Sequence, residues 1–261
     1  MHHALLDEYA LNSPLRDKNN KLKLSLVAAA LLVGVSSTSP VAPLFIALSM
    51  SLATIRLGKI PAKFYAELAI APLSFALFGA VIILFFFGFG PEIFSLEILG
   101  HRIGASAEGA DLAVLVVSRT LSGMCCLFFL ALTTPMVELF AVLKALRMPD
   151  SFVELSMMIY RYIFVFLEVA IRMRHAQVMR LGYDGFRCSI QSFSMMAGTL
   201  FLRTMEQGEK LYTAMDARCY DGKLSLFEEN RPVKVQELLA ASGYVTFIAA
   251  LAYISRGASI F

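Results

Sequence analysis

Tryptophan is absent from this 261-residue chain, charged residues make up only 16% of it, and cysteine and histidine number four each. Soluble domains carry nearer a quarter charged residues. With 58% hydrophobic residues and a mean hydropathy of +0.68, the chain reads as an integral membrane protein. A net charge of +3 is too small to point to nucleic acid. Cys125 and Cys126 adjoin in an apolar run, Cys188 and Cys219 are isolated in a polar region, and there is no CxxC pair. Neither a disulfide framework nor a zinc site is supported. His2, His3, His101 and His175 form no cluster with carboxylate or thiol ligands. Met1-His2-His3 with a free amino terminus would suit square-planar Ni(II) or Cu(II), but a disordered terminus is the plainer reading, so no metal ligand and no cofactor is assigned. The chain lacks GxxxxGK[ST] and HExxH, and Gly88-Phe89-Gly90-Pro91 and Gly100-His101-Arg102-Ile103-Gly104 read as turns rather than phosphate loops. ATP hydrolysis is not expected here, and the chain is read as a non-enzyme.

What the chain has instead is apolar runs. Residues 1–23 are a polar lead-in without a signal-peptide core, and Arg16, Lys18, Lys21 and Lys23 gather before the first run. Runs at 24–39 and 41–55, split by Ser36-Ser37-Thr38-Ser39-Pro40, fall short of the roughly 20 residues that span hydrocarbon and predict a thin hairpin. Stretch 64–90 is the strongest span, with Glu67 near one end. Residues 91–108 are expected as a loop holding Glu92, Glu97, His101, Arg102 and Glu108. A span at 110–133 carries Asp111 and Arg119, a polar region runs to 235, and a last span covers 237–254. Basic residues precede the first run, follow the second as Arg56, Lys59 and Lys63, and recur through 144–234. The N-terminus and the polar region are therefore expected in the cytoplasm and the C-terminus outside. The organisation predicted is a membrane domain of four spans at 1–134, a cytoplasmic helical domain at 135–235, and a C-terminal transmembrane helix at 236–261.

The polar region predicts three helices. Thr134 reads as a cap with Pro135 at the first helical position, and this helix ends at Met148-Pro149. Asp150 or Ser151 caps the next, with Glu154 three residues beyond Ser151 as in a capping box. Phe152, Leu155, Ile159, Tyr162, Phe166, Val169 and Met173 recur on it at helical spacing. The third runs from about Ser189 to Arg218, with Leu202, Met205, Tyr212 and Met215 on one side and Glu206 and Lys210 as an i,i+4 pair. Such long, Met-rich amphipathic helices suit contact with membrane and partner proteins. Within them one phrase occurs twice, 38 residues apart: Met179-Arg180-Leu181 followed by Tyr183-Asp184-Gly185, and Ala217-Arg218-Cys219 followed by Tyr220-Asp221-Gly222. A single Arg near a helix end followed by Gly is ordinary capping chemistry. Two copies read as matched plugs for two similar partners.

Several stretches, in order along the chain, resemble the T component of energy-coupling factor (ECF) transporters, in particular its cobalt-type CbiQ branch. They are Asp7-Glu8-Tyr9-Ala10 with Ser13-Pro14-Leu15, Pro72-Leu73-Ser74-Phe75, Leu132-Thr133-Thr134-Pro135, Met158-Ile159-Tyr160-Arg161-Tyr162-Ile163-Phe164, and Leu202-Arg203 through Tyr220-Asp221-Gly222. The resemblance implies an all-α integral membrane protein of about five transmembrane helices plus a cytoplasmic module of long amphipathic coupling helices. It implies a scaffold in a prokaryotic plasma membrane that joins two cytoplasmic ABC ATPase subunits to a substrate-binding membrane subunit (S component), with a small accessory membrane subunit as an option. Two coupling helices each end in a short Ala-Arg-Gly-like signature whose Arg docks into a groove on one ATPase. By position these are Arg180, between Met179 and Leu181, and Arg218, between Ala217 and Cys219; of the small neighbours only Ala217 is kept. The implied cargo is cobalt, recognised in the substrate-binding subunit, with nickel or a vitamin as the alternative.

Other readings fare worse on the residues. An independent permease wants clustered polar groups inside its spans, and Glu67, Asp111 and Arg119 do not cluster by spacing. A membrane-embedded enzyme wants paired acid/base or metal motifs, and none occurs. Arg119, Arg161 and Glu168 either line a metal pathway or are paired inside the bundle or at a subunit seam; the second is expected, because an unpaired buried charge is costly.

Overall fold

In the computed structural model the described residues are 9–86, 92–98, 101–221 and 235–255. His2, His3, Asp7, Glu8, the Gly88–Pro91 turn, Gly100 and Gly222 lie outside them. The protein is an all-α membrane protein with one β-hairpin among the described residues. In chain order the elements are α1 (Asn20–Ser36), α2 (Val41–Arg56), α3 (Ala62–Phe86), β1 (Glu92–Ile98), β2 (His101–Ser106), α4 (Ala107–Thr133), α5 (Met136–Ala145), α6 (Asp150–Met179), α7 (Phe186–Asp216) and α8 (Val235–Ile254). Among the described residues three stretches are long and apolar enough to cross a membrane: Ala62–Phe85, Glu108–Thr133 and Val235–Ile254. Helices α1 and α2, at 17 and 16 residues, are the short pair expected from their runs.

The hairpin corrects the expectation of a loop at 91–108. Phe94, Leu96 and Ile98 alternate with Ser95 and Glu97, the period of a strand. The strands pair antiparallel, with Glu97 opposite Arg102 and Leu96 opposite Ile103.

The chain divides into two compact units, Met1–Leu139 with Asn230–Phe261, and Phe140–Glu229. In the first, α4 is the hub. Its Cys125, Cys126 and Phe129 are buried against Val27 and Ala30 of α1, Ile46, Ala47 and Met50 of α2, and Ile248 of α8. In a bilayer such packing depends on close approach rather than on expulsion of water, so small residues mark the seams. Gly34 on α1 is one of these, since a Cβ there would lie 2.6 Å from the Ser122 Oγ on α4. Asn19 starts α1 by accepting from the N–H groups of Lys21 (3.0 Å) and Leu22 (3.3 Å). Lys23 therefore lies inside α1, 5% exposed, rather than in a polar lead-in.

Helices α1 and α4 run antiparallel, and each closes the other's C-terminal end with a cation. Lys23 Nζ donates to the carbonyl of Thr133, the last residue of α4 (3.2 Å). Arg119 donates through Nε (3.1 Å) and Nη2 (2.6 Å) to the carbonyl of Ser37, just past α1. A helix C-terminus is the negative end of its dipole and leaves carbonyls open, so both cations meet a real electrostatic need.

Two expected caps are not made. Pro135, not Thr134, supplies the first acceptor of α5, bonding the N–H groups of Glu138 (3.0 Å) and Leu139 (3.2 Å). The buried Thr134 hydroxyl has no partner among the described residues. Pro149 precedes α6, and neither Asp150 nor Ser151 caps it with a side chain. Helices α6 (30 residues) and α7 (31 residues) form the long antiparallel pair of the second unit, each about 45 Å at ~1.5 Å per residue. Helix α7 buries none of its residues. On α6 Phe152, Leu155 and Ile159 of the expected stripe are exposed, while Tyr162, Phe166, Val169 and Met173 are half-buried.

Candidate functional site

Both long helices of the second unit end in the same backbone figure. After α6 the N–H of Leu181 donates to the Val178 carbonyl (3.0 Å) and that of Gly182 to the Gln177 carbonyl (2.9 Å). After α7 the N–H of Cys219 donates to the Asp216 carbonyl (2.9 Å) and that of Tyr220 to the Met215 carbonyl (3.1 Å). This is the Schellman arrangement, which satisfies carbonyls that a helix end leaves open and needs one left-handed residue, most often glycine. Here those residues are Leu181 (φ 55) and Cys219 (φ 56). Gly185, expected as the first stop, instead precedes α7 at φ 89. An L-residue in the left-handed region costs about 1–2 kcal/mol, and both helices tolerate it at the equivalent place.

Arg180 and Arg218 each sit immediately before the left-handed residue. Both are exposed, and neither guanidinium has an ion-pair partner among the described residues. The length of α7 lies between them, about 45 Å by helix rise. The surroundings differ. Arg180 is flanked by Met179 and Leu181, 85% and 75% exposed, with Phe186 close in sequence at 82%. Arg218 is flanked by the smaller Ala217 and Cys219, both exposed.

Each end is held by side chains, of which the sequence pattern singled out Tyr183, Tyr220 and Glu154 but not Gln177 or Ser192. At the first, Gln177 Nε2 donates to the Ser192 carbonyl (2.8 Å), the Tyr183 hydroxyl donates to Gln177 Oε1 (2.9 Å), and the Ser192 hydroxyl donates to the Gly182 carbonyl (2.7 Å). Gly182 has no room for a side chain there, because a Cβ would stand 2.6 Å from Ser192 Oγ. At the second, the Tyr220 hydroxyl donates to Oε2 of Glu154 (2.9 Å), a residue 5% exposed on the first turns of α6. The hydrogen bond to that carboxylate pushes the Tyr220 phenol above its ordinary pKa, which keeps it a donor. Glu154, expected in a capping box, is used instead by a tyrosine 66 residues away.

The model of the cobalt transport protein family, CbiQ, matches residues 11–228. The chain belongs to the CbiQ family. It is 44% identical over 249 residues to a protein of Methanocorpusculum labreanum named as a fused cobalt transport protein, CbiMQ, covering 94% of this chain and 41% of that one. It spans about two fifths of the length of that fused relative. An uncharacterized protein of Methanocaldococcus jannaschii is 38% identical over 98% of this chain and 95% of its own length. The cobalt transport protein CbiQ of Rhodobacter capsulatus is 29% identical over 64% of each chain.

In this CbiQ-family chain Arg119, Arg161 and Glu168 lie in different surroundings. Arg119 is paired inside the bundle, as expected, with the Ser37 carbonyl. Arg161 and Glu168 do not meet. Glu168 pairs with Arg172 one turn along (3.4 Å), and both of these side chains are about 70% exposed. Arg161 is exposed too. Seven residues do bring two side chains to one helix face, but the shorter four-residue step reached Glu168 first. No group of three or more His, Cys, Asp or Glu residues that would hold a metal ion occurs among the described residues. The four cysteines are free, Cys125 and Cys126 buried, Cys188 and Cys219 exposed.

Proposed function

We propose that the chain is the transmembrane coupling scaffold of an ECF-type importer for cobalt. In this reading Arg180 and Arg218 each dock on one of two cytoplasmic ABC ATPase subunits, flanked by Met179 and Leu181 at the first end and Ala217 and Cys219 at the second. The observation that carries it is the pair of helix ends, alike in backbone hydrogen bonds and in left-handed residue, each presenting an exposed Arg from a rigid stop. A guanidinium held this way offers a fork of directional donors to carboxylates and carbonyls of a groove.

Nucleotide-driven closure of the ATPases displaces the two arginine ends. The helices of the second unit carry that motion to a substrate-binding membrane subunit, where cobalt is recognised. The cobalt assignment is supported by the family description and by the names of the M. labreanum and R. capsulatus relatives. The fused name CbiMQ fits a T component working beside a second membrane subunit. Basic residues concentrated in the lead-in and in 144–234 support a cytoplasmic N-terminus and a cytoplasmic second unit.

Uptake of radiolabelled cobalt by cells carrying the complete transporter tests the reading. An interface Arg of this kind is worth ~2 kcal/mol or more on truncation, so Arg180→Ala and Arg218→Ala each reduce uptake strongly. Uptake that persists with the ATPases deleted would instead make the chain a permease in its own right.

A further inference from the structure

Two observations on the second unit differ between its ends. The Arg180 end is held by neighbours: Gln177, Tyr183 and Ser192 all lie within a few residues of the turn that joins α6 to α7. The Arg218 end is held at long range, by a bond from Tyr220 to Glu154, on the first turns of α6. Tyr220 is also the residue whose N–H closes the helix end on the Met215 carbonyl (3.1 Å), two positions after Arg218. Its ring thus ties the tip of α7 to the opposite terminus of α6, and Glu154 at 5% exposure is a fixed anchor rather than a mobile surface carboxylate.

We propose that Glu154 and Tyr220 are positioning residues that pass displacement of the Arg218 tip to the start of α6, so that this bond transmits the stroke rather than grips the ATPase. The assignment rests on the coupling reading given above. Arg218 is left free to dock, because the Schellman bonds that end α7 involve only backbone. What the phenol adds is a rigid link between the docked tip and the other long helix. Without it the tip follows the ATPase while α6 stays behind.

Tyr220→Phe removes the hydroxyl and keeps the ring. In the assembled transporter it is expected to retain both ATPases at wild-type levels and to lower cobalt transported per ATP hydrolysed at least five-fold. Glu154→Gln, made with Tyr220 intact, keeps a carbonyl acceptor for the phenol and is expected to retain most of the wild-type ratio. A Tyr220→Phe transporter with an unchanged ratio overturns the assignment, and so does one that sheds the ATPases, because the bond would then serve docking. A second measurement stands apart from the partners. In the purified chain alone, amide hydrogen exchange at Cys219 and Tyr220 is expected to quicken about ten-fold in Tyr220→Phe. Unchanged exchange refutes the link even if the coupling reading holds, whereas quickened exchange in a chain that never binds an ATPase refutes the coupling reading alone.

Discussion

Leu181 occupies a conformation that glycine would adopt more readily, and replacing it separates what the fold needs from what a partner needs. At φ 55 and 75% exposure, Leu181→Gly loses almost no buried surface. It relieves about 1–2 kcal/mol of left-handed strain, offset by the ~0.5–1 kcal/mol of extra backbone entropy that glycine surrenders on ordering. The net expectation is a helix end steadier by about 0.5–1 kcal/mol, which is roughly two- to five-fold in a local opening equilibrium. Hydrogen exchange of the Gly182 amide, whose bond to Gln177 closes the motif, reads this directly. The same variant removes an exposed apolar flank of Arg180, so ATPase retention is expected to fall although the helix end is firmer. Faster exchange at Gly182 would show that the leucine stabilises the turn and refute the strain argument. Unchanged ATPase retention would show that the flank has no docking role.

Two further variants probe the first unit. Arg119→Leu removes both donors to the Ser37 carbonyl. Hydrogen bonds from a charged group contribute about 1.5–3 kcal/mol, so unfolding in detergent should show a loss of about 2–3 kcal/mol with metal preference unchanged; an altered preference at full stability would assign Arg119 to a pathway instead. Gly34→Leu forces a side chain into the seam with Ser122 and is expected to cost about 1–3 kcal/mol by overpacking, measured the same way, whereas a neutral result would mean that α1 and α4 separate easily there.

The spans were legible because membrane helices need long apolar runs, and 64–90, 110–133 and 237–254 supply them. The paired arginine phrases were legible as repetition. Their backbone was not, because Gly185 and Gly222 look like the natural exits, while the bonds to Gln177 and Met215 place the turn at Leu181 and Cys219. Lys23 read as one of a basic cluster, since nothing local shows that Asn19 starts α1 early enough to bury it. Glu154 fits a capping box by spacing, yet it accepts from Tyr220, a long-range pairing that spacing does not contain. Apolar runs and repetition were readable, whereas the partner that each polar side chain takes was not, whether one turn away, as for Glu168 with Arg172, or across the fold, as for Tyr220 with Glu154.

Co-purification tests the central claim most directly. The chain is expressed with the membrane and ATPase subunits of its transporter and isolated as wild type and as the Arg180→Ala/Arg218→Ala double variant. The account predicts that wild type brings both ATPases with it and that the double variant, still folded, brings neither. Retention of both ATPases by the double variant at wild-type levels would contradict it.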